Sequence, residues 1–337
     1  MAHAPLRHYQ VGRWGGHFRL PFDGLNMGVT TKWRSAALTD PGRLRAENQD
    51  RSFVDDTLGI FLVVDGLGGH AAGEKAAETA VEVIPAALAE PGADTRQRVR
   101  RAIAAANNRI CDLAEENQDW RGMACVLTLA VLDDDRIIVG HVGDSRLYLI
   151  WNGAMRKLTS DHSPVGERED RGELSESEAM AHPRRHEVFR DVGTRRRESG
   201  DEEFVEMKEF LFKPDAAILL CSDGLSDLIT SAEMSEIIDR YDGDADQVAR
   251  DLVDAANRAG GKDNITVVFV AGSEFLGNDS PQMLEARARH AITRARESAP
   301  AEVARQATSR LRRILTSRVA FLIYGFAIGV AVALALR

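Results

Sequence analysis

The chain has 337 residues, 28% charged and 44% hydrophobic, with 28 Gly and 10 Pro. That is enough apolar material for a full core, and it excludes a low-complexity polymer. Lys and Arg number 43 against 52 Asp and Glu, a net charge of −9, which argues against a polyanion-binding surface and so against nucleic acid as a partner.

Residues 1–27 are polar and Gly-containing and show no apolar run after Met1, so they read as an N-terminal extension and not a secretory signal. From there to about residue 273, short apolar runs alternate with longer amphipathic stretches. Strands are expected at 59–64, 126–132, 136–142, 146–151, 217–221 and 265–270, each rich in branched or apolar residues and bounded by Gly, Asp or Asn. Helical spacing covers 72–89, 95–118, 232–240 and 245–259. The Asp133–Asp135 run joins two of the strands as a tight hairpin would. Strands in hairpin-linked groups predict an α+β sandwich in preference to a doubly wound sheet. Cys111, Cys125 and Cys221 lie far apart in apolar contexts, without zinc or disulfide spacing, and point to a reducing compartment.

Beyond residue 274 the character changes. Residues 275–318 form a basic linker, helical or disordered, with nine Arg and three Glu between 280 and 318. Residues 319–336 are uncharged and apolar, about 27 Å as a helix and near the lower limit for spanning a bilayer. They are expected to be a single transmembrane anchor. Arg310, Arg312, Arg313 and Arg318 on its near side place the preceding domain in the cytoplasm. Within the anchor, Gly325, Gly329 and Ala333 fall four apart, the spacing of a helix-pairing face and hence of an anchor-mediated dimer.

Five aspartates share one setting. Asp65, Asp144 and Asp223 follow apolar strands and precede Gly or Ser, Asp263 stands just before a strand, and Asp50 closes the run Glu47–Asp50. Carboxylates at strand ends beside small residues converge at one rim of a sheet. Hard oxygen donors without a His or Cys set select Mg²⁺ or Mn²⁺ over zinc. For any one Asp-Gly pair the alternative is a simple turn residue.

The blocks RAENQD (Arg45–Asp50), DGLGGHAAGE (Asp65–Glu74), VGDSR (Val142–Arg146), LTSDHS (Leu158–Ser163), SDGLSD (Ser222–Asp227) and GGKDNIT (Gly260–Thr266) resemble, in order, those of the metal-dependent type 2C-like Ser/Thr protein phosphatases, bacterial branch. The resemblance implies a phosphatase domain over 28–274, a four-layer α-β-β-α sandwich of two antiparallel sheets flanked by helices. It also implies a centre of two Mn²⁺ or Mg²⁺ ions, with a weaker third, whose bridging hydroxide attacks phosphoserine or phosphothreonine in proteins. By motif matching, Asp65 would bridge both ions, the Gly66 carbonyl would add a ligand, and Asp223 and Asp263 would complete one shell. Asp50 would act partly through water, Asp144 and Asp227 would hold the third ion, and Arg45 would grip the substrate phosphate. His70 is a candidate general acid or a loop residue, since the family's usual histidine position, nearer the Asp-Gly pair, holds Leu67 here.

Residues 161–194 match the family's mobile flap, polar enough for a lid of low local stability, with Arg184, Arg185 and Arg190 available to substrate. His162 is expected to brace the segment that follows and His141 to be a satisfied core side chain. Residues 195–203 (RRRESGDEE) read as a solvated loop, and Ala124 and Cys125 replace hydroxyl residues usual in the family. The implied partners are phosphorylated proteins, the membrane and an opposing membrane Ser/Thr kinase. A silent phosphoprotein-binding scaffold and a two-metal nuclease are the alternatives. The intact set Asp65, Asp223 and Asp263 argues against the first, and the acidic body without a basic aromatic groove argues against the second.

Overall fold

The computed structural model describes residues 32–69, 71–89 and 94–279, together with Met283 and Leu334. Ten strands make two antiparallel sheets. One has the order β1-β10-β9-β6-β7, from Trp33–Asp40 (β1), Ile265–Gly272 (β10), Ala217–Cys221 (β9), Arg146–Trp151 (β6) and Ala154–Lys157 (β7). The other has the order β2-β3-β4-β5-β8, from Arg51–Asp55 (β2), Ile60–Leu67 (β3), Ala124–Asp133 (β4), Arg136–Val142 (β5) and Glu206–Leu211 (β8). The helices are α1 (Ala71–Ala89), α2 (Thr95–Glu116), α3 (Pro164–Asp170), α4 (Glu176–Met180), α5 (Asp223–Ser226), α6 (Ser231–Ile238) and α7 (Ala245–Arg258).

The central strands are apolar throughout because both of their faces are covered. In β3, Ile60, Leu62 and Val64 pack under α1 and α2, while Phe61 and Val63 face the other sheet. In β10, Ile265, Val267 and Phe269 meet α6 and α7, while Val268 and Val270 turn to the space between the sheets. Successive side chains point to opposite faces, so one run of sequence feeds two cores. Three apolar layers result, and with them the expected α-β-β-α sandwich. The helices bury faces at i, i+3 and i+4, as with Val248, Ala249, Leu252, Val253 and Ala256 of α7, whose start is capped by the Asp244 carboxylate accepting from the Gln247 N–H. The expected hairpin at 133–135 is present, with Asp133 opposite Arg136 and Asp134 at φ 54°, a conformation Asp tolerates.

Several expectations are corrected. Strands β1, β2, β7 and β8 were not foreseen, and all four are sheet edges. The ordered body continues past residue 274, since Phe275 packs on Tyr241 and Phe269 and the Asp279 N–H donates to the Asp239 carbonyl at 2.7 Å. Residues 195–203 are the solvated loop expected, without helix or strand and mostly exposed, with Arg196 paired to Asp112 at 2.6 Å and Glu115 at 3.0 Å and Arg197 stacked on Phe204. The start of the flap is firm, with Asp161, His162 and Ser163 buried. Capped short helices α3 and α4 follow, Ser163 accepting from the Gly166 N–H and Ser175 forming a capping box with Glu178. His141 is only half satisfied among the described residues: Nδ1 meets Thr128 Oγ1 at 2.9 Å, whereas Nε2 has no partner.

Among the described residues no helix is long and apolar enough to cross a membrane. The anchor expected at 319–336 (apart from Leu334), its face of Gly325, Gly329 and Ala333, the extension 1–27, the linker after residue 279 (apart from Met283) and His70 all lie outside the described residues.

Candidate metal centre

The strand ends of both sheets meet at one rim. Asp65 and Gly66 end β3, Asp144 sits in the β5–β6 turn, Asp223 opens α5 and Asp227 follows it, and Asp263 lies two residues before β10. All six line one cleft of about 530 Å³, with Arg45 at its mouth. Asp50 does not line the cleft. It is buried beneath it, where Oδ2 accepts from Ser222 Oγ at 2.7 Å, and Ser222 Oγ in turn accepts from the Thr266 N–H at 3.0 Å.

Backbone contacts without side chains bring these ends together. A Cβ on Gly224 would collide with the Asn264 carbonyl, and one on Gly66 with the Gly73 carbonyl. Glycine therefore sets how closely Asp223 approaches the Asp263 loop and how closely Asp65 approaches α1. Asn264 closes the rim: its Oδ1 accepts from the Gln49 N–H at 2.9 Å and its Nδ2 donates to the Glu47 and Pro41 carbonyls.

The electrostatics are those of crowded carboxylates. Burial pushes Asp50 up to about 7, with Asp223 and Asp263 adding repulsion against the Ser222 and Thr266 hydrogen bonds. Burial holds Asp65 well above the ordinary carboxylate range, and Asp50, Asp223, Asp144 and Asp263 add to it. Asp144 is raised in the same way by burial and by Asp223, Asp161 and Asp227. Asp227 rises to about 6 through burial and Asp223, although Arg185 opposes this.

Two flap residues that the motifs do not mark also enter the cleft. Arg185 donates from Nε to Asp227 Oδ2 at 2.7 Å, and His186 Nδ1 lies 3.7 Å from Asp223 and 3.6 Å from Asp227. Of the three arginines 184, 185 and 190, Arg184 pairs with Glu187 and Arg190 approaches His162, and Arg185 faces the cleft. Lys262 adds a cation at the rim, and Arg45 Nη2 donates to Asp263 Oδ2 at 2.7 Å while remaining 54% exposed.

This donor set fits a divalent cation. His186, Asp223 and Asp227 offer ligand atoms within 4.8 Å of one another, and the remaining donors are oxygens. Carboxylates raised by burial and by mutual repulsion are the groups that a hard divalent cation returns to the charged form.

The family described as Protein phosphatase 2C matches residues 44–255. The chain belongs to that family. A serine/threonine phosphatase, stp, of Listeria innocua is 37% identical over 242 residues, covering 69% of this chain and 93% of that protein. Among solved structures, the Mycobacterium tuberculosis serine/threonine phosphatase PstP/Ppp superposes with a TM-score of 0.64 at 31% identity, over 71% of this chain and 98% of that one. The catalytic domain of PstP in complex with two manganese ions matches with a TM-score of 0.62, also at 31% identity, over 71% and 97%. The matched residues 44–255 take in Arg45, Asp65, Asp144, Asp223 and Asp227 of the cleft, and Asp263 follows just beyond them.

Proposed function

We propose that this 2C-type phosphatase hydrolyses phosphoserine and phosphothreonine in proteins at the carboxylate cleft, tethered to the cytoplasmic face of a membrane through residues 319–336. The enzyme class rests on family and relatives together: the chain is a metal-dependent serine/threonine protein phosphatase, and its cofactor is Mn²⁺ or Mg²⁺. The observation that carries the reading is the convergence of Asp65, Asp144, Asp223, Asp227 and Asp263 with Arg45 on one cleft.

Asp65, the Gly66 carbonyl, Asp223 and Asp263 would hold two ions, and Asp144 and Asp227 a third. When bound, such ions neutralise phosphate charge and make a coordinated water acidic enough to act as nucleophile. The protein's own groups do the rest. Asp50, fixed by Ser222, orders the floor beneath Asp65. Arg45 and Lys262 at the mouth draw in the dianionic phosphate, and the Arg45 guanidinium offers two parallel N–H donors. Arg185 and His186 bring the flap to the same carboxylates, so the segment that meets the protein substrate also closes the cleft over its phosphate.

The test uses the full chain and phosphate release from a phosphothreonine peptide. Manganese-dependent release is expected, abolished by chelator and lowered by several orders of magnitude in Asp65→Asn; normal turnover in that variant would remove the bridging role.

Tethering is supported by the uncharged run 319–336 and the arginines before it. It would raise the effective concentration of membrane-bound phosphoproteins, whose phosphate a Ser/Thr kinase at the same surface would supply. The chain should resist alkaline extraction from membranes and become soluble on deletion of 319–336. Crosslinking in membranes, lost when Gly325 and Gly329 become Leu, would report pairing through that face.

A further inference from the structure

Asp144 enters the cleft from a turn whose shape is set by a residue outside the acidic set. Gly143, just before it, has φ +110°, and a Cβ there would collide with Val126. Both backbone polar groups of Gly143 are held by one partner. The His162 N–H donates to the Gly143 carbonyl at 2.7 Å, and the Gly143 N–H donates to His162 Nδ1 at 3.0 Å. Because Nδ1 accepts, the neutral ring carries its proton on Nε2. This imidazole is 6% exposed and stacks 4.9 Å from His141, which is fixed through Thr128 to Ser145 on the other side of Asp144.

His162 faces the flap as well. Its carbonyl accepts from the Phe189 N–H at 3.0 Å and its ring lies 6.1 Å from that of Phe189, while Arg190 Nη1, 3.1 Å from the protonated Nε2, makes no hydrogen bond to it. Phe189 and Arg190 directly follow the stretch that carries Arg185, His186 and Val188 into the cleft. The neighbouring residue anchors the clamp, since Asp161 takes the Arg146 guanidinium through both carboxylate oxygens, at 3.2, 3.0 and 2.6 Å. His141, His162 and Glu206 also bring ligand atoms within 4.8 Å of one another. They do not form a second cation site, because one His162 nitrogen already accepts from Gly143 and the other faces a guanidinium.

We infer that His162 is a positioning residue of the phosphatase reaction, a clamp that fixes the Gly143–Asp144 turn and the 185–190 part of the flap together. Cation binding at Asp144 and ordering of the flap are thereby parts of one equilibrium. The inference rests on the reading of the cleft as a metal centre, and it deepens that reading by assigning a link between centre and flap. An ion that pins Asp144 favours the flap position in which Phe189 sits on His162. A substrate that holds the flap down favours the ion by the same free energy.

The experiment compares the full chain with His162→Ala, His162→Asn and Asp144→Asn. The Asn amide oxygen sits where Nδ1 does and accepts from the Gly143 N–H, so this variant keeps the clamp on Asp144. Amide exchange of residues 182–190 in metal-free protein reads the flap. Manganese titration by calorimetry, with the Mn²⁺ concentration for half-maximal hydrolysis of a phosphothreonine peptide, reads the ion. Ala should speed flap exchange and raise the half-saturating Mn²⁺ about five- to tenfold, as expected for one buried hydrogen bond. Asn should recover most of the Mn²⁺ shift, and Ala should add no further shift in the Asp144→Asn background. The inference is overturned if Ala leaves flap exchange and Mn²⁺ dependence unchanged. It is equally overturned if Asn behaves as Ala while melting with the wild type. Absence of Mn²⁺-dependent hydrolysis in the wild type would instead defeat the metal-centre reading. In that case the calorimetric titration and flap exchange still decide whether His162 couples the two parts.

Discussion

Arg45 illustrates how one residue joins substrate and cofactor chemistry. Its guanidinium reaches Asp263 Oδ2 at 2.7 Å from an otherwise exposed position at the mouth of the cleft. On the proposed reading, an ion held by Asp263 would compete for that carboxylate and leave the N–H fork free for phosphate. Charge-assisted bonds of this kind contribute about 1.5–3 kcal/mol each, so Arg45→Ala is expected to lower kcat/KM for a phosphothreonine peptide by about 10- to 100-fold. Most of that loss should appear in KM if the grip is equal in ground and transition states. Arg45→Lys should recover little, because a point charge cannot present two parallel donors to one phosphate. Steady-state kinetics of the two variants at saturating Mn²⁺ separate these outcomes, and full activity in Arg45→Ala would place the phosphate grip elsewhere, with Arg185 and Lys262 the remaining cations at the rim.

At the level of elements, legibility followed burial. Strands β3, β4, β5, β6, β9 and β10 could be read because all six lie inside a sheet with covers on both faces, so apolar residues dominate them. The unread strands β1, β2, β7 and β8 are the four sheet edges, and their mixed sequences, such as EMKEFL in β8, carry the charges that keep an edge from pairing with another chain. Helices α3, α4 and α5 are too short for a periodic pattern, and of these α3 and α4 are marked only by their capping residues. The aspartates were legible since each sits where a buried strand meets Gly, Ser or Asn. Their convergence at one rim was expected from that placement, but the closeness of approach was not, because it depends on backbone contacts such as Gly224 to Asn264 that no local pattern records. Arg185 was marked only as one of three flap arginines and His186 not at all, since they reach the cleft from a charged segment with no strand end of its own. The charges of residues 195–203 pointed to solvent, where the segment lies, and left unread only the pairing of Arg196 with Asp112 and Glu115 of a distant helix.

For the whole molecule, closing two sheets over these carboxylates makes stability depend on pH and on metal. Asp50 and Asp227 are raised to about 7 and about 6, and Asp65 and Asp144 well above the usual range, chiefly by burial. A carboxyl raised in the fold contributes stability that is fully present below the unfolded value and is lost as pH rises through the folded one. His141 and His162 act with the opposite sign. Burial lowers them to about 4 and about 3, so their contribution is complete only above the ordinary histidine value and is lost as pH falls. Asp161, which Arg146 and Lys157 hold low against the effect of burial, matters only in acid. The two sets oppose each other between about pH 4 and 6.5. Above about pH 6.5 only the raised groups still titrate, with His186, raised by Asp223, acting in the same direction. The melting temperature of chelated protein is therefore expected to fall from about pH 6.5 to 8. Saturating Mn²⁺ should reverse that slope, since the ion binds the ionised carboxylates and its affinity grows as they lose protons. Asp65→Asn should flatten the metal-free slope and melt higher than the chelated wild type while losing turnover, because it removes a buried charge that only the cation can neutralise. A chelated wild type that grows more stable across this interval would mean that the rim opens to water without metal, and the crowding described for Asp50, Asp65 and Asp144 would then belong only to the loaded enzyme.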